Sequence, residues 1–496
     1  MSNRIEEIKR AKDGLDVLTD ILRYAEGGDE IDPDDIERLK WFGLFHRRQT
    51  PGYFMMRLRI ANGVLSGSQA RVLGDLVNRY GRGAADLTTR QGLQFRWLRI
   101  QDVPAIFEAL DGAGISYMQT GMDNVRNVTG CPMAGLDARE VLDASPVAAA
   151  IEAAIVGLRE FSNLPRKLNI SVSGCRFDCA MSKTNDIGLT PATLAGAAGF
   201  NVQVGGALGG KQPMFARALD VFVTPEQAPA LCAAVLSVFR DLGSRENRQQ
   251  ARLKWLIDAW GIERFREAVE GYAGPLARAG RDEVLAWGND HVGVQSQTQP
   301  GLFTVGLLVP VGRISGDDLV EAGRLAESYG SDEIRLTNDQ NLLIVNVPET
   351  RLDGLMREPL LRRFSPNPPA WLRHTVSCTG SDYCHYALID TKGSALRLAA
   401  AMQEIAPDAQ PMRVHWSGCP HACGQHGVAD IGLLASRVRI GDEIVDAADV
   451  YLGGSPGPQP RLGERVLEGV PLGELPSRLL SLLPAGALRI AAEAAL

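Results

Sequence analysis

The sequence predicts an α+β fold that is internally duplicated, with pseudo-twofold symmetry and three domains. One observation is a strand–helix–strand pattern that occurs twice. Gly52-Tyr53-Phe54 aligns with Gly301-Leu302-Phe303, Ser66-Gly67 with Ser315-Gly316, Tyr80-Gly81 with Tyr329-Gly330, and the run from Leu87 to Leu93 with that from Leu336 to Leu342, all at one offset of 249 residues without a gap. A second is a repeated cysteine motif. Ser173-Gly174-Cys175 with Cys179 mirrors Ser417-Gly418-Cys419 with Cys423 at an offset of 244, and Asp186-Ile187-Gly188-Leu189 mirrors Asp430-Ile431-Gly432-Leu433 at the same offset. A third is length, since 496 residues exceed what one hydrophobic core holds.

The elements follow in chain order. Residues 1–48 read as a polar helical segment, with Asp32-Pro33-Asp34-Asp35 as a helix start. Arg47 to Gly52 breaks the pattern. Tyr53 to Ile60 reads as a strand in which Arg57 and Arg59, two apart, share one face. A helix from Ser66 to Tyr80, a strand from Gln94 to Ile100 and a helix from Val103 to Ala113 complete the unit. Its counterpart begins near residue 298. The predicted boundaries are 1–48 for the N-terminal segment, 49–118 and 298–350 for paired half-domains, and 119–290 and 360–485 for the two larger repeats. Between the halves, Pro225 to Asp258 carries apolar residues at helical spacing, broken at Gly243, and a further helix runs from Ile262 to Gly274-Pro275. The Leu- and Ala-rich tail after Pro476 predicts a closing helix and a loose end.

Bulk composition narrows the function. A hydrophobic fraction of 45% with 22% charged residues is that of a globular chain. A net charge of −7 argues against nucleic-acid binding while leaving room for a local basic pocket. The N-terminus has no apolar signal region, and no apolar run approaches the roughly 20 residues of a membrane helix. The expected location is cytoplasmic, where paired cysteines bind metal more often than they form disulfides.

The chemistry concentrates in Cys378 to Cys423. Cys378 and Cys384 are spaced C-x5-C, Cys419 and Cys423 C-x3-C, with 34 residues between the pairs. Four converging thiolates suit a cubane iron–sulfur cluster; structural zinc is the alternative, although zinc knuckles favour C-x2–4-C spacing at both pairs. The first repeat has Cys131, Cys175 and Cys179, but Leu136 and Asp137 stand where a fourth cysteine belongs. These three and Cys232 read as buried apolar groups, with a second metal site as the lesser alternative. The first repeat is rich in cations instead: Arg57, Arg59, Arg90, Arg126, Arg166 and Lys167. Singly each reads as a solvated charge; together they predict an anion pocket facing the cysteine-rich half. The basic run Arg245, Arg248, Arg252 and Lys254 reads as structural or cofactor-side rather than as a docking patch.

These motifs resemble the assimilatory nitrite/sulfite reductases, and most closely the ferredoxin-dependent nitrite reductases. The resemblance covers about Leu39 to Gly454 and rests on Phe54-Met55-Met56-Arg57, Thr88-Thr89-Arg90-Gln91, Asp123-Asn124-Val125-Arg126, Leu164-Pro165-Arg166-Lys167, Asn185-Asp186, Gly199-Phe200-Asn201-Val202 and Asp241-Leu242-Gly243. It implies a nitrite/sulfite reductase-like fold carrying siroheme coupled to a [4Fe–4S] cluster. By position, Cys378, Cys384, Cys419 and Cys423 correspond to the cluster ligands, and Cys423 to the thiolate shared with the siroheme iron. Arg57, Arg126 and Lys167 correspond to residues facing the anion, and Arg90, Gln94, Arg166 and Gln340 to residues around the macrocycle, whose eight carboxylates call for a basic cradle.

Asn169 bears on which anion. The family's sulfite branch usually has a second lysine there and the nitrite branch an asparagine, in line with the greater negative charge of sulfite. The expected activity is thus six-electron reduction of nitrite to ammonia, with sulfite reduction to sulfide as the alternative and Fe–S-dependent oxygenation of a corrin precursor as a second. No Rossmann or flavin motif is present, so the expected donor is ferredoxin or a similar small acidic carrier, docking on a basic patch near the cluster. The family expectation is a monomer, because the duplication already supplies a pseudo-dimer.

Overall fold

The computed structural model describes residues 3–27, 30–210, 212–288, 290–410 and 412–483. Three large hydrophobic cores, with a small fourth around Cys131, Cys175 and Cys179, organise the described residues. One joins the two small repeats, a second holds residues 125 to 269, and a third holds residues 311 to 479.

The duplication is visible strand by strand. Each small repeat builds a four-stranded antiparallel sheet and lends one strand to the other. Leu44–His46, Phe54–Arg57, Leu93–Leu98 and Ala84–Leu87 form one sheet, extended by Arg313–Ser315. Gly293–Ser296, Leu302–Leu307, Leu342–Pro348 and Glu333–Leu336 form its counterpart, extended by Val64–Ser66. This exchange fuses the pair into one core, and so the edge strands at 44–46 and 293–296 lie just outside the boundaries read from sequence. The N-terminal segment is no separate unit either: Val17, Ile21, Leu39 and Trp41 are buried in the same core.

The pseudo-twofold axis runs between two equivalent helices, Gly67–Tyr80 and Gly316–Tyr329. Each starts at a serine whose hydroxyl caps the third residue of the helix, Ser66 onto Gln69 and Ser315 onto Asp318. The helices cross at glycines. A Cβ on Gly74 would sit 2.5 Å from the Gly316 carbonyl oxygen, and one on Gly67 2.6 Å from that of Gly323. Only residues without a side chain permit that approach.

The larger repeats also share one topology. In each, two parallel steps precede an antiparallel meander: Thr129–Gly130, Ile170–Val172, Ile187–Leu194, Ala197–Val204, Arg217–Val223 in the first, and Thr375–Ser377, Val414–Ser417, Ile431–Ile440, Glu443–Leu452, Glu464–Pro471 in the second. Cysteines follow the ends of the two parallel strands in both. The helices predicted between the halves are present as Ala228–Leu242, Leu253–Trp260 and Ile262–Ala273, with Gly243 ending the first. Leu475–Leu482 is the predicted closing helix; residues 484–496 lie outside the described residues.

Candidate functional site

The four C-terminal cysteines are set by backbone geometry. Cys378 directly follows Thr375–Ser377, and Cys419 follows Val414–Ser417, the parallel neighbour. The Gly418 N–H donates to Cys378 Sγ at 3.1 Å, and Thr89 of the first repeat donates its hydroxyl to the Cys423 carbonyl at 3.1 Å. Among the described residues, the only group of three or more ligating side chains with all donor atoms within 4.8 Å of one another lies elsewhere in the molecule. The four thiols are therefore spread too widely for one tetrahedral zinc, whose sulfur ligands stand ~3.8 Å apart at a Zn–S distance of about 2.3 Å. The spread suits a multi-iron cluster. Burial pushes the Cys378 thiol up, and that of Cys419 to about 12. Iron bound there would reverse that cost by taking thiolate.

These cysteines share a wall with a cavity of about 270 Å³, lined also by Arg47, Arg57, Arg90, Gln94, Arg96, Arg126, Lys167 and Lys392. A smaller adjoining cavity of about 50 Å³ is lined by Lys167, Asn169, Arg252, His421 and Cys423. Arg57 ends its strand here and donates to the Thr120 carbonyl at 3.1 Å with its guanidinium over the Phe45 ring. Arg126 donates to the carbonyls of Gly121, Asn124 and Met122 at 3.0, 3.2 and 2.8 Å, so its fork is held by backbone alone.

Among the described residues, no carboxylate forms an ion pair with Arg57, Arg90, Arg126 or Lys167. Burial is therefore the dominant influence on all four, with repulsion among the cations added to it. Burial lowers Arg57, with Arg47 and Arg90 adding repulsion, and holds Lys167 well below its ordinary value, with Arg252 and Arg90 adding to it. The Cys423 sulfur acts in the opposite sense on Arg57, Arg90 and Lys167, as do Asp186 on Arg90 and Asp123 on Arg126. A cavity of half-buried, unpaired cations is a site for anions. Asn169 stands at its edge. Its N–H donates to Asp186 Oδ2 at 2.8 Å, while its buried side-chain Oδ1 has no hydrogen-bond partner.

Not every sequence-predicted residue arrives there. Arg59 does not share the cavity with Arg57: the strand ends at Arg57, and Arg59 turns inward to a bidentate pair with Glu152 at 2.5 and 2.8 Å. Arg166 lines neither cavity and lies 3.6 Å from Asp123. Gln340 borders the cavity with both amide ends engaged, donating to the Leu87 carbonyl at 2.9 Å and accepting from the Ser377 N–H at 3.0 Å. Gln91, its repeat partner, makes the reciprocal pair with Leu336 and Gly130. Within the basic run read as structural or cofactor-side, Arg248 is bidentate to Asp123 and Arg252 to Asp186, and Arg252 also borders the small cavity.

Sequence reasoning missed Arg47, Arg96 and Lys392. Arg47 lies in a stretch that reads as a breaker, and Lys392 opens a helix where a surface charge is the ordinary reading. Arg96, Arg313 and Lys392 converge on buried Asp86, whose carboxyl they hold far below the usual range against its burial. Only their meeting in space reveals the cluster.

Four neighbouring cysteines beside a cavity of cations without carboxylate partners fit a redox metalloprotein that takes a small anion or an anionic cofactor. The chain belongs to the nitrite and sulphite reductase family: its residues 121–275 and 370–483 match the nitrite and sulphite reductase 4Fe-4S domain, and 46–113 and 295–361 the nitrite/sulfite reductase ferredoxin-like half domain. It is 47% identical over 491 residues to the ferredoxin–nitrite reductase of Synechococcus elongatus, with 97% of this chain and 96% of that protein covered. It is 41% identical to the chloroplastic ferredoxin–nitrite reductase of Spinacia oleracea, covering 95% and 83%. The solved structure of Mycobacterium tuberculosis NirA protein superposes with a TM-score of 0.92 at 32% identity, covering 99% of this chain and 94% of that one. Among the described residues no helix is long and apolar enough to cross a membrane.

Proposed function

We propose that this chain reduces nitrite to ammonia in nitrogen assimilation, with six electrons from reduced ferredoxin. The balance is NO2⁻ + 8 H⁺ + 6 e⁻ → NH4⁺ + 2 H2O. The observation that carries this reading is the cavity in which Arg57, Arg126 and Lys167 stand without carboxylate partners beside the Cys423 loop. Siroheme joined to a [4Fe–4S] cluster supplies the iron that takes the anion and the electron path to it. Cys378, Cys384, Cys419 and Cys423 would hold the cluster, and Cys423, on the cavity wall, would be shared with siroheme. Arg90, Gln94, Arg47 and Arg252 would cradle the macrocycle carboxylates, while Arg166 acts one layer out through Asp123 and Gln340 holds the cavity wall.

The remaining work falls to the chain's own groups. The Arg57 and Arg126 guanidinium groups, held in place by hydrogen bonds to backbone carbonyls, orient the anion through their remaining N–H donors. Lys167, which burial drives toward its neutral form, gains a proton as an anion enters and is placed to pass one on as N–O bonds break. Asn169 offers an amide rather than a second ammonium, which favours a monoanion. The place of action is read as the cytoplasm and the working form as a monomer. The test is turnover of the holoenzyme with an artificial donor, nitrite against sulfite. Nitrite is expected to win in kcat/KM by at least about tenfold; a preference for sulfite would refute the reading, and an absorption spectrum without siroheme bands would refute the cofactor assignment.

A further inference from the structure

The first repeat holds its own thiol cluster at the position equivalent to the C-terminal one. Cys131 follows Thr129–Gly130, and Cys175 and Cys179 follow Ile170–Val172, as Cys378, Cys419 and Cys423 do in the second repeat. A residue from outside the duplicated loops joins them. His291, in the segment leading to the Gly293–Ser296 strand, brings Nε2 to 4.0 Å from Cys131 Sγ. The donor atoms of Cys131, Cys179 and His291 all lie within 4.8 Å of one another, and all three residues are buried. The Cys175 thiol adjoins Cys131, lies 3.9 Å from Asp137 Oδ2, and accepts the Phe177 N–H at 3.4 Å.

We infer that Cys131, Cys175, Cys179 and His291 form a structural zinc site. Three thiols and one imidazole are a complete tetrahedral donor set, and Cys175 and Cys179 have the spacing of a zinc knuckle. A bound zinc needs its donors ~3.5–3.8 Å apart, from Zn–S and Zn–N bonds of about 2.3 and 2.0–2.1 Å. The donors of Cys131, Cys179 and His291, within 4.8 Å of one another, close to that with movements of about an ångström, and Cys175, which stands outside that trio beside Cys131, would turn in as the fourth ligand. This group is compact where the C-terminal cysteines are spread, so the duplicated loops present two sites of different width, one for a cluster and one for a single ion. Binding is not a redox step: three thiols release three protons to solvent, His291 binds as the neutral ring, and the site carries a net charge of −1. Arg139, bidentate to Asp137 at 2.9 and 2.7 Å, neutralises the carboxylate that lies beside Cys175, so that it adds little repulsion to the thiolates. The Phe177 N–H to Cys175 is the donor that a thiolate ligand ordinarily retains.

The site would tie three separate chain segments together behind the anion cavity. The Asn338 amide donates to the carbonyls of Gly130 and Cys179 at 3.1 and 3.5 Å, and Thr129, Ala180 and Asn338 border the smaller cavity. Zinc there stiffens that wall without entering it. The inference does not rest on which anion is reduced.

The test is metal analysis with zinc-edge X-ray absorption on the intact holoenzyme, purified without chelator. One zinc per chain is expected beyond the iron, with a first shell of about three sulfurs near 2.3 Å and one nitrogen near 2.0–2.1 Å. Cys179→Ser and His291→Gln should each lower zinc affinity about tenfold or more while iron content and the visible spectrum stay unchanged. The inference is overturned if zinc stays below about a fifth of an equivalent after incubation with the free ion, an occupancy no structural site shows. It is also overturned if the first shell lacks sulfur, or if alkylation and mass spectrometry of the purified protein find a disulfide among the three cysteines. The spectrum of the unaltered enzyme decides the matter even if both variants fail to fold.

Discussion

The two cysteine sites stand on the same loops of the same topology, yet one opens on a cavity and the other is sealed. The difference lies in what the neighbouring sheet presents. Beside the C-terminal cysteines that sheet offers Arg57, Gln94 and Arg96. At the positions 249 residues later it offers Gly306, Leu343 and Val345, and Leu343 and Val345 pack directly on Cys131, Cys175 and Cys179. Gly306 is the key exchange: a Cβ there would meet the His291 carbonyl oxygen at 1.7 Å, so the glycine admits the segment that closes the space. Arg90 likewise becomes Asp339, which burial and Asp290 raise to about 7. Duplication supplied two equivalent loop pairs, and a few side chains made one a reaction chamber and the other a packed joint.

The largest expected effect separates the two sites outright. Cys423→Ser should abolish turnover and the coupled siroheme–cluster spectrum, whereas Cys179→Ser, its equivalent, should keep the visible spectrum and most of kcat. Equal losses in both would erase the comparison. Next, Lys167→Met or Arg126→Met should lower kcat/KM for nitrite by about 10²–10³-fold, as loss of a preorganised donor does. Circular dichroism should show the fold intact in Lys167→Met, which breaks no ion pair, whereas Arg126→Met also frees three backbone carbonyls and should lower Tm. The pseudo-twofold axis can be broken directly. Gly74→Val forces a side chain against the Gly316 carbonyl and should destabilise by about 1–3 kcal/mol, read as a lower Tm with an unchanged active-site spectrum.

A smaller effect concerns substrate choice: Asn169→Lys should shift the nitrite-to-sulfite ratio of kcat/KM toward sulfite by about tenfold. The smallest is a pH dependence. Lys167 is held well below its ordinary value because burial disfavours its cation. An anion beside it restores the charge, so binding takes up a proton. Nitrite affinity should therefore fall as pH rises above the empty protein's Lys167 pKa, by at most about tenfold per unit. Spectrophotometric titrations at several pH values would show it, and the slope should vanish in Lys167→Met.

Much of this was legible in the chain itself. Periodicity and a constant offset revealed the duplication, since both repeats must satisfy the same strand and helix patterns. The C-terminal cysteines and the residues Arg57, Arg126 and Lys167 were recognisable because their motifs are local and contiguous. Arg59 misled because alternation along a strand holds only while the strand lasts, and this one ends at Arg57. Gln340 was assigned to the macrocycle by resemblance alone; it does border the cavity, and its amide also clamps two backbone groups, which no local motif announces.

What only the tertiary structure decided was every meeting of residues distant in sequence. The exchanged strands Val64–Ser66 and Arg313–Ser315, the three cations on Asp86, and the arrival of His291 among Cys131, Cys175 and Cys179 carry no local signature. The sequence alone determined the elements, their duplication and the C-terminal ligand motif, because hydrophobic period, capping residues and metal-ligand spacing act within a few residues. Which repeat holds a cavity depended on packing across some 160 to 330 residues of chain, where close contact is settled by volume and charge in three dimensions.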